Sequence, residues 1–546
     1  MKKINVLYIL HETFPAGATY SLLDMVDSLA KVVKPVFITA GGGKVERILA
    51  AREWKFYRVL RVKEWGEIGC ATNLEMQESY VDNYEAAVFI TNIIRLEKID
   101  LVHSNTSVNN SGAISAIMSQ IPHVYHIREF MEEDFGWEYW NKEIKRQIFR
   151  GTDLFISISK IMEKRFYEKY GFHTNVFYDG MKLQGMANAY NELENRQGQE
   201  KVVFIQVGVL TEGKGIWDTL KSAKILKEKG VMNFKVQFIG KANADIKKIV
   251  DLFVTENGLD DSIEIINHCN DVQKYRYNAE FALVPSRYEG LGRVTIEAMA
   301  YGNIVIGANT GGTLELIGEN SERGYLFEQG NAESLASVMI RAITERTDVG
   351  KRKRKLAFEF AKKEFDLPEY GKKIYKKYIE ILQYSSDEEL KLKKRDLLKF
   401  LDEKYLQYKF ELNSNIQDLG QENISLWEKW NLLGNYDMES YLIENEIYNV
   451  AIYGAGKYGK RLINYLLDSK VTIKYIIDQK VTSLEKVDKT FLTPAEFYCN
   501  IKYLPHVDKI IVALSREQDV NEIRNRMAES NVTNIIVLPN IINELL

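Results

Sequence analysis

From Val284 to Met299 the chain reads Val-Pro-Ser-Arg-Tyr-Glu-Gly-Leu-Gly-Arg-Val-Thr-Ile-Glu-Ala-Met, with Glu289 before a glycine-rich turn and Glu297 after it. Residues 281–284 form a short apolar run of the kind that makes a buried strand. In the turn, Gly290 and Gly292 flank Leu291 and leave room for bare backbone amides to approach a ligand. A helix beginning near Arg293 points its positive end at whatever occupies that turn. Both carboxylates can then face one crevice. Amides that bind anions, flanked by two acceptors, suit a ligand that is part phosphate and part polyhydroxylated sugar.

The elements that must position this turn alternate in a regular way. Over residues 1–190, candidate strands at 4–10, 35–39, 101–104, 123–127, 154–158 and 175–178 are separated by amphipathic segments such as 110–119 and 161–170. That rhythm implies an α/β domain with a doubly wound parallel sheet. A polar stretch at 191–200 reads as a linker. A second domain of the same kind, 200–366, opens on the apolar run 202–207, which ends at Gly208, and continues with strands at 235–239, 263–266, 281–284 and 304–307. Residues 367–385 read as a helix and residues 386–446 as a charged, helical connector.

A third unit spans 447–546. Its strand 450–453 runs into Gly454, Gly456 and Gly459 in a Gly-x-Gly-x-x-Gly pattern, and a second strand ends on Asp478. An acidic residue about twenty positions after such glycines is where a ribose-binding carboxylate belongs. The alternative is a Rossmann-like unit used for docking, because the same glycines serve tight turns and helix–sheet packing. A self-contained dehydrogenase or epimerase is disfavoured here, since residues 447–546 make a short domain for one.

Composition narrows the classes. The 546 residues carry a formal net charge of −3, which supplies no basic field for nucleic acid. Three cysteines (Cys70, Cys269, Cys499) lie far apart, without metal-ligand spacing, as expected for a reducing cytosol. The apolar start, residues 4–10, is too short for a signal peptide and reads as a first strand. No apolar run is long enough to cross a bilayer, so any membrane contact is expected to be peripheral. The basic clusters at 351–355 and 391–395 have acidic neighbours and read as solvated helix faces, with anionic lipid as the alternative.

The stretch Glu-Gly-Leu-Gly-Arg-Val-Thr-Ile-Glu-Ala-Met-Ala, with Pro-Ser before it and Tyr-Gly after it, resembles the Glu-x7-Glu signature of retaining glycosyltransferases of the GT-B type, family 4. The resemblance covers about residues 1–385. It implies two facing Rossmann-like domains, an N-terminal acceptor domain and a donor domain, with helix 367–385 crossing back to brace the first. It also implies a nucleotide-diphosphate sugar as donor, with UDP sugars as candidates and the base left open, and no other cofactor and no metal. No Asp-x-Asp occurs in the chain, in keeping with that.

By the same resemblance, Glu297 holds the ribose, Glu289 the transferred sugar, and Lys214 with Gly208 and the Gly290–Gly292 amides the diphosphate. Where the family carries a second phosphate-binding arginine this chain has Val209, and Arg287 or Arg293 are the candidate replacements. Gly17, in the loop after the first strand, is expected under the donor phosphates. His126, Arg128 and Glu129 resemble an acceptor-side cluster, with His126 catalytic. Residues 268–272 and the Gly-Gly turn at 309–315 are expected to line or floor the donor half. The third unit resembles the small module that precedes sugar acyltransferases. The function implied is glycosyl transfer to a glycan or polyprenyl-linked acceptor in bacterial surface polysaccharide synthesis, in the cytoplasm or at the inner face of the membrane. The alternative is a non-catalytic sugar-nucleotide sensor or assembly subunit of the same fold.

Overall fold

The computed structural model describes residues 3–41, 43–59, 64–132, 136–182, 190, 201–242, 244–267, 271–384, 387–417, 438–454, 459, 462–463, 466, 469–477, 490–492, 494, 497–498, 504–514, 517–530, 532–538 and 540–541. Three parallel sheets organise them. The first has seven strands in the order Lys55–Arg58, Val33–Thr39, Ile4–Ile9, Leu101–Asn105, His123–Ile127, Leu154–Ser157 and Asn175–Val176. The second has six, ordered Ile263–Ile266, Phe234–Ile239, Val202–Val207, Phe281–Val284, Ile304–Ala308 and Gly324–Phe327. Both reverse direction of winding beside their first strand, and a doubly wound sheet opens a crevice at the carboxyl ends of its strands at that switch. In the second sheet the switch lies between Val202–Val207 and Phe281–Val284. The loops that follow these two strands carry Lys214 and Glu289.

The sheets form where apolar residues fill both faces. Leu101–Asn105, His123–Ile127 and Phe281–Val284 are buried at every position, as parallel strands covered by helices require. The expected α/β architecture is present. Short or half-exposed pieces escaped the sequence reading: the edge strand Lys55–Arg58, the strand Gly324–Phe327, and the antiparallel pair Trp65–Glu67 with Trp137–Tyr139.

The helix Leu367–Tyr384 follows the donor domain yet buries Leu367, Tyr370, Ile374 and Tyr378 in the core beneath the first sheet, among Tyr8, Leu22, Met25 and Ile156. The next helix, Glu388–Gln417, differs from the connector expected of residues 386–446. It lies against the helices Asn73–Glu97 and Ser111–Ser119, with Leu397 and Leu401 buried. The Tyr80 hydroxyl donates to the Leu401 carbonyl at 2.8 Å, and Lys394 pairs with Asp153 at 2.7 Å. The long helix is therefore part of the first domain's wall.

The third sheet orders Thr490–Leu492, Thr472–Ile477, Asn449–Tyr453, Lys509–Val512 and Ile535–Val537. Gly454 has φ +92°, and a Cβ on Gly459 would stand 1.7 Å from the Gly454 carbonyl. The positive φ of the first and the close approach of the second account for these two glycines. Gly456 and Asp478 lie outside the described residues.

Candidate active site

Lys214 is placed by its loop. Residues Glu212–Lys214 form a single 3-10 turn ended by Gly215, whose φ is +70°. A side chain there would meet the Pro285 carbonyl at 2.2 Å, so glycine lets the loop press against the strand end that leads to Glu289. Gln206 fixes the other side. Its Nε2 donates to the Lys214 carbonyl at 2.8 Å, and its Oε1 accepts from Thr219 at 2.7 Å. The Arg287 amide donates to the Gly213 carbonyl at 2.9 Å and closes the contact between the two loops.

Across this crevice Lys214 Nζ lies 2.5 Å from Glu289 Oε1, with side chains 43% and 14% exposed. The pair is thus open to solvent on the lysine side. Gly208, Val209, Ser286 and Val294 line the same crevice. The Glu289 carbonyl accepts from the Gly312 amide at 2.7 Å, and a Cβ on Gly312 would sit 2.5 Å from the Leu291 carbonyl. The Gly-Gly turn therefore supports the Glu289–Leu291 loop from behind. His268, Cys269 and Asn270 lie outside the described residues.

Gly292, at φ +84°, begins the helix Arg293–Tyr301. In it Glu297 Oε2 accepts from Arg276 Nη2 at 2.7 Å, with the guanidinium buried and the carboxylate part-exposed. Arg276 was not foreseen from the sequence. Only the fold brings the helix Gln273–Asn278 beside residue 297, and the pairing orients a carboxylate that still reaches solvent.

The residues expected on the acceptor side are arranged differently. Arg128 and Asp179 form an ion pair at 2.5 Å with side chains 2% and 3% exposed. Arg128 Nε also donates to Asn105 Oδ1 at 2.7 Å, and its Nη2 lies 3.3 Å from His126 Nδ1. Tyr370, on the crossover helix, donates to the other Asp179 oxygen at 3.3 Å. His126 is fully buried, where an open position on the cleft was expected. Its Nδ1 is 3.3 Å from His103 Nε2, and His103 Nδ1 is 2.7 Å from the Tyr378 hydroxyl. Burial, then the charge of Arg128, holds both imidazoles well below their ordinary pKa, His103 at about 3. Both rings are neutral. Glu129 accepts from the amide and hydroxyl of Ser107 at 2.8 and 2.9 Å; burial raises its carboxyl and these bonds oppose the rise.

The two halves touch along a seam. The Ser159 hydroxyl donates to the Gly290 carbonyl at 2.7 Å. A Cβ on Gly290 would come within 3.0 Å of Met162 and 3.2 Å of the Arg128 carbonyl. Glu315 accepts from the Lys160 and Ile161 amides at 3.0 Å each and from the Tyr178 hydroxyl at 2.5 Å. It thereby caps the helix Lys160–Tyr170 from the opposite domain, a role beyond the floor position expected of it. Gly17 begins the helix Gly17–Leu29 and faces Arg293 across the same seam. Arg287 is bound to Glu212 at 2.6 Å on an exposed surface.

Two doubly wound domains that meet over a cation–carboxylate crevice, braced by a returning helix, make the GT-B architecture. The comparisons agree: residues 15–183 match the Glycosyltransferase Family 4 model and residues 191–362 the Glycosyl transferases group 1 model. The enzyme is a glycosyltransferase. Its relatives include the capsular polysaccharide biosynthesis glycosyltransferase CapM of Staphylococcus aureus, 27% identical over 46% of this chain and 68% of that protein. Another is the Escherichia coli UDP-Gal:alpha-D-GlcNAc-diphosphoundecaprenol alpha-1,3-galactosyltransferase, 21% identical over 49% of this chain and 72% of that one. In fold, Anabaena HepE in complex with UDP superposes with a TM-score of 0.57 at 19% identity, over 69% of this chain and all of that one. No helix among the described residues is long and apolar enough to cross a membrane.

Proposed function

We propose that the enzyme transfers a sugar from a UDP-type nucleotide sugar, with retention of anomeric configuration, to a glycan or polyprenyl-diphosphate-linked acceptor in bacterial surface polysaccharide assembly. The observation that carries this reading is the Lys214–Glu289 pair, open to solvent at the switch point of the donor sheet. Glycosyl transfer builds negative charge on the departing diphosphate, and groups already fixed where charge develops lower the barrier most. Lys214 and the amides at Gly290 and Gly292 are the stabilising groups. Lys214 exchanges its bond to Glu289 for one to the phosphates, which frees the Glu289 carboxylate to accept from hydroxyls of the transferred sugar. Glu297, oriented by Arg276, accepts from the ribose hydroxyls.

Retention follows if the leaving diphosphate, on the same face as the incoming acceptor, takes the acceptor hydroxyl's proton. Neutral, buried His126 is then not needed as the base. It and Arg128 act by shaping the acceptor side. Relatives that build capsular polysaccharide or act on a diphosphoundecaprenol-linked sugar support the acceptor class. The chemistry proposed uses no metal.

The test is an incubation with a panel of UDP sugars and lipid-diphosphate-linked acceptors in the presence of EDTA, with the anomeric configuration of the product read by NMR. An α-linked product from an α-configured donor supports the reading. An inverted product, or activity lost on chelation, contradicts it.

A further inference from the structure

The crevice holds too little positive charge for the dianion it is proposed to bind; this inference rests on the donor reading above. Among its described lining residues Lys214 is the one cation, and Glu289 balances it. Of the neighbouring guanidiniums, Arg276 is buried against Glu297, and Arg287 pairs with Glu212 on an exposed surface.

Arg293 is held differently. It is the first residue of the helix that opens at Gly292, yet its side chain crosses the seam to the Ser21 hydroxyl and lies 3.7 Å from Asp24. Asp24 has a second cation, since Lys182 Nζ is 3.1 Å from it and 3.0 Å from Asp27. Arg293 can therefore leave without stranding a carboxylate. A Cβ on Gly17 would touch Arg293 Cδ at 4.0 Å, so its stem passes over the start of the helix Gly17–Leu29. Two helix N-termini and a guanidinium thus converge, an arrangement that favours an anion.

Two hydroxyls lie beside Gly292, the residue before Arg293. Thr295 Oγ1 and Thr313 Oγ1 are buried without a hydrogen-bond partner. They lie 3.2 and 3.7 Å from where a Cβ on Gly292 would sit. An orphaned buried hydroxyl is costly, and a ligand oxygen would relieve it.

We infer that Arg293 is the second diphosphate-binding cation of this enzyme, handed from Asp24 to the donor phosphates while Lys182 keeps Asp24 paired. The planar guanidinium offers two parallel N–H donors that match a pair of phosphate oxygens. Because the hand-over draws on a contact between domains, donor binding also releases one tie across the seam.

The test is equilibrium titration of the full chain with UDP and with uridine. Arg293→Met is expected to weaken UDP roughly 10- to 100-fold, the range of a hydrogen bond to a charged group, and to leave uridine unchanged. Adding Val209→Arg should restore part of the UDP affinity, since residue 209 lines the crevice and is 55% exposed. Asp24→Asn, which frees Arg293, should tighten UDP severalfold and serves as the test if Arg293→Met does not fold. Unchanged UDP affinity in both variants overturns the inference, as does an equal loss for UDP and uridine. A wild-type protein that binds neither probe overturns the donor reading itself.

Discussion

The two halves of the cleft use the same residue types to opposite ends. In the donor half, Lys214 and Glu289 form an ion pair that is part-exposed and easily exchanged. In the acceptor half, Arg128 and Asp179 form one that is sealed from solvent and tied further to Asn105 and Tyr370. An exposed pair contributes little to stability and can give up a partner to a ligand. A buried one is held by the surrounding fold, and losing one partner leaves a naked charge. A charged residue at a strand end thus has two meanings, and burial tells them apart.

The sharpest way to break this contrast is Asp179→Ala. It should destabilise the protein by about 3–5 kcal/mol, read by denaturant unfolding, because Arg128 remains buried without its carboxylate. Lys214→Met should do the reverse. Turnover is expected to fall about 10²- to 10³-fold through loss of a group that meets developing charge. Stability should stay within about 1 kcal/mol of the parent. A large stability loss for Lys214→Met, or none for Asp179→Ala, would erase the distinction.

Acid provides a third comparison. His103, His123 and His126 are buried with their pKa values lowered by desolvation first and by neighbouring cations second. A group whose folded pKa is depressed adds stability that is present above its unfolded value. That stability is lost as pH falls toward the folded value. The window runs downward from 6.5, reaching about 3 for His103. Melting temperature should decline through that range, and His103→Asn should flatten the slope. An identical slope in the variant would count against the buried relay from Tyr378. The smallest effect is at the seam, where Glu315→Ala removes a helix cap and should cost about 1 kcal/mol with little change in donor affinity.

Much of the donor half was legible because its chemistry is local. One strand, one turn and one helix carry Glu289, Gly290, Gly292 and Glu297 within a few residues of each other. The strands that frame the crevice are short apolar runs bounded by glycines, so they too were readable. The rest depends on contacts between distant segments. Arg276 is twenty-one positions from Glu297, Asp179 is fifty-one from Arg128, and Glu315 caps a helix more than 150 residues upstream. No spacing rule links them. His126 was read as facing the cleft from its place at a strand end, but alternation along the strand and the crossover helix packed beneath it put the ring inside. The charged helix Glu388–Gln417 looked like a connector because Leu397 and Leu401, which it buries, are set among many charged residues.

The proposed donor site is the crevice between Glu289 and Glu297. Calorimetric titration of UDP into the wild-type protein and into Glu297→Ala, with EDTA present, tests it most directly. Metal-independent binding by the wild type is expected, with at least about a tenfold loss in the variant, the size of one hydrogen bond to a charged acceptor, in a variant that is still folded at the titration temperature although Arg276 has lost its partner. Equal affinity in the two proteins would contradict it and place the nucleotide elsewhere.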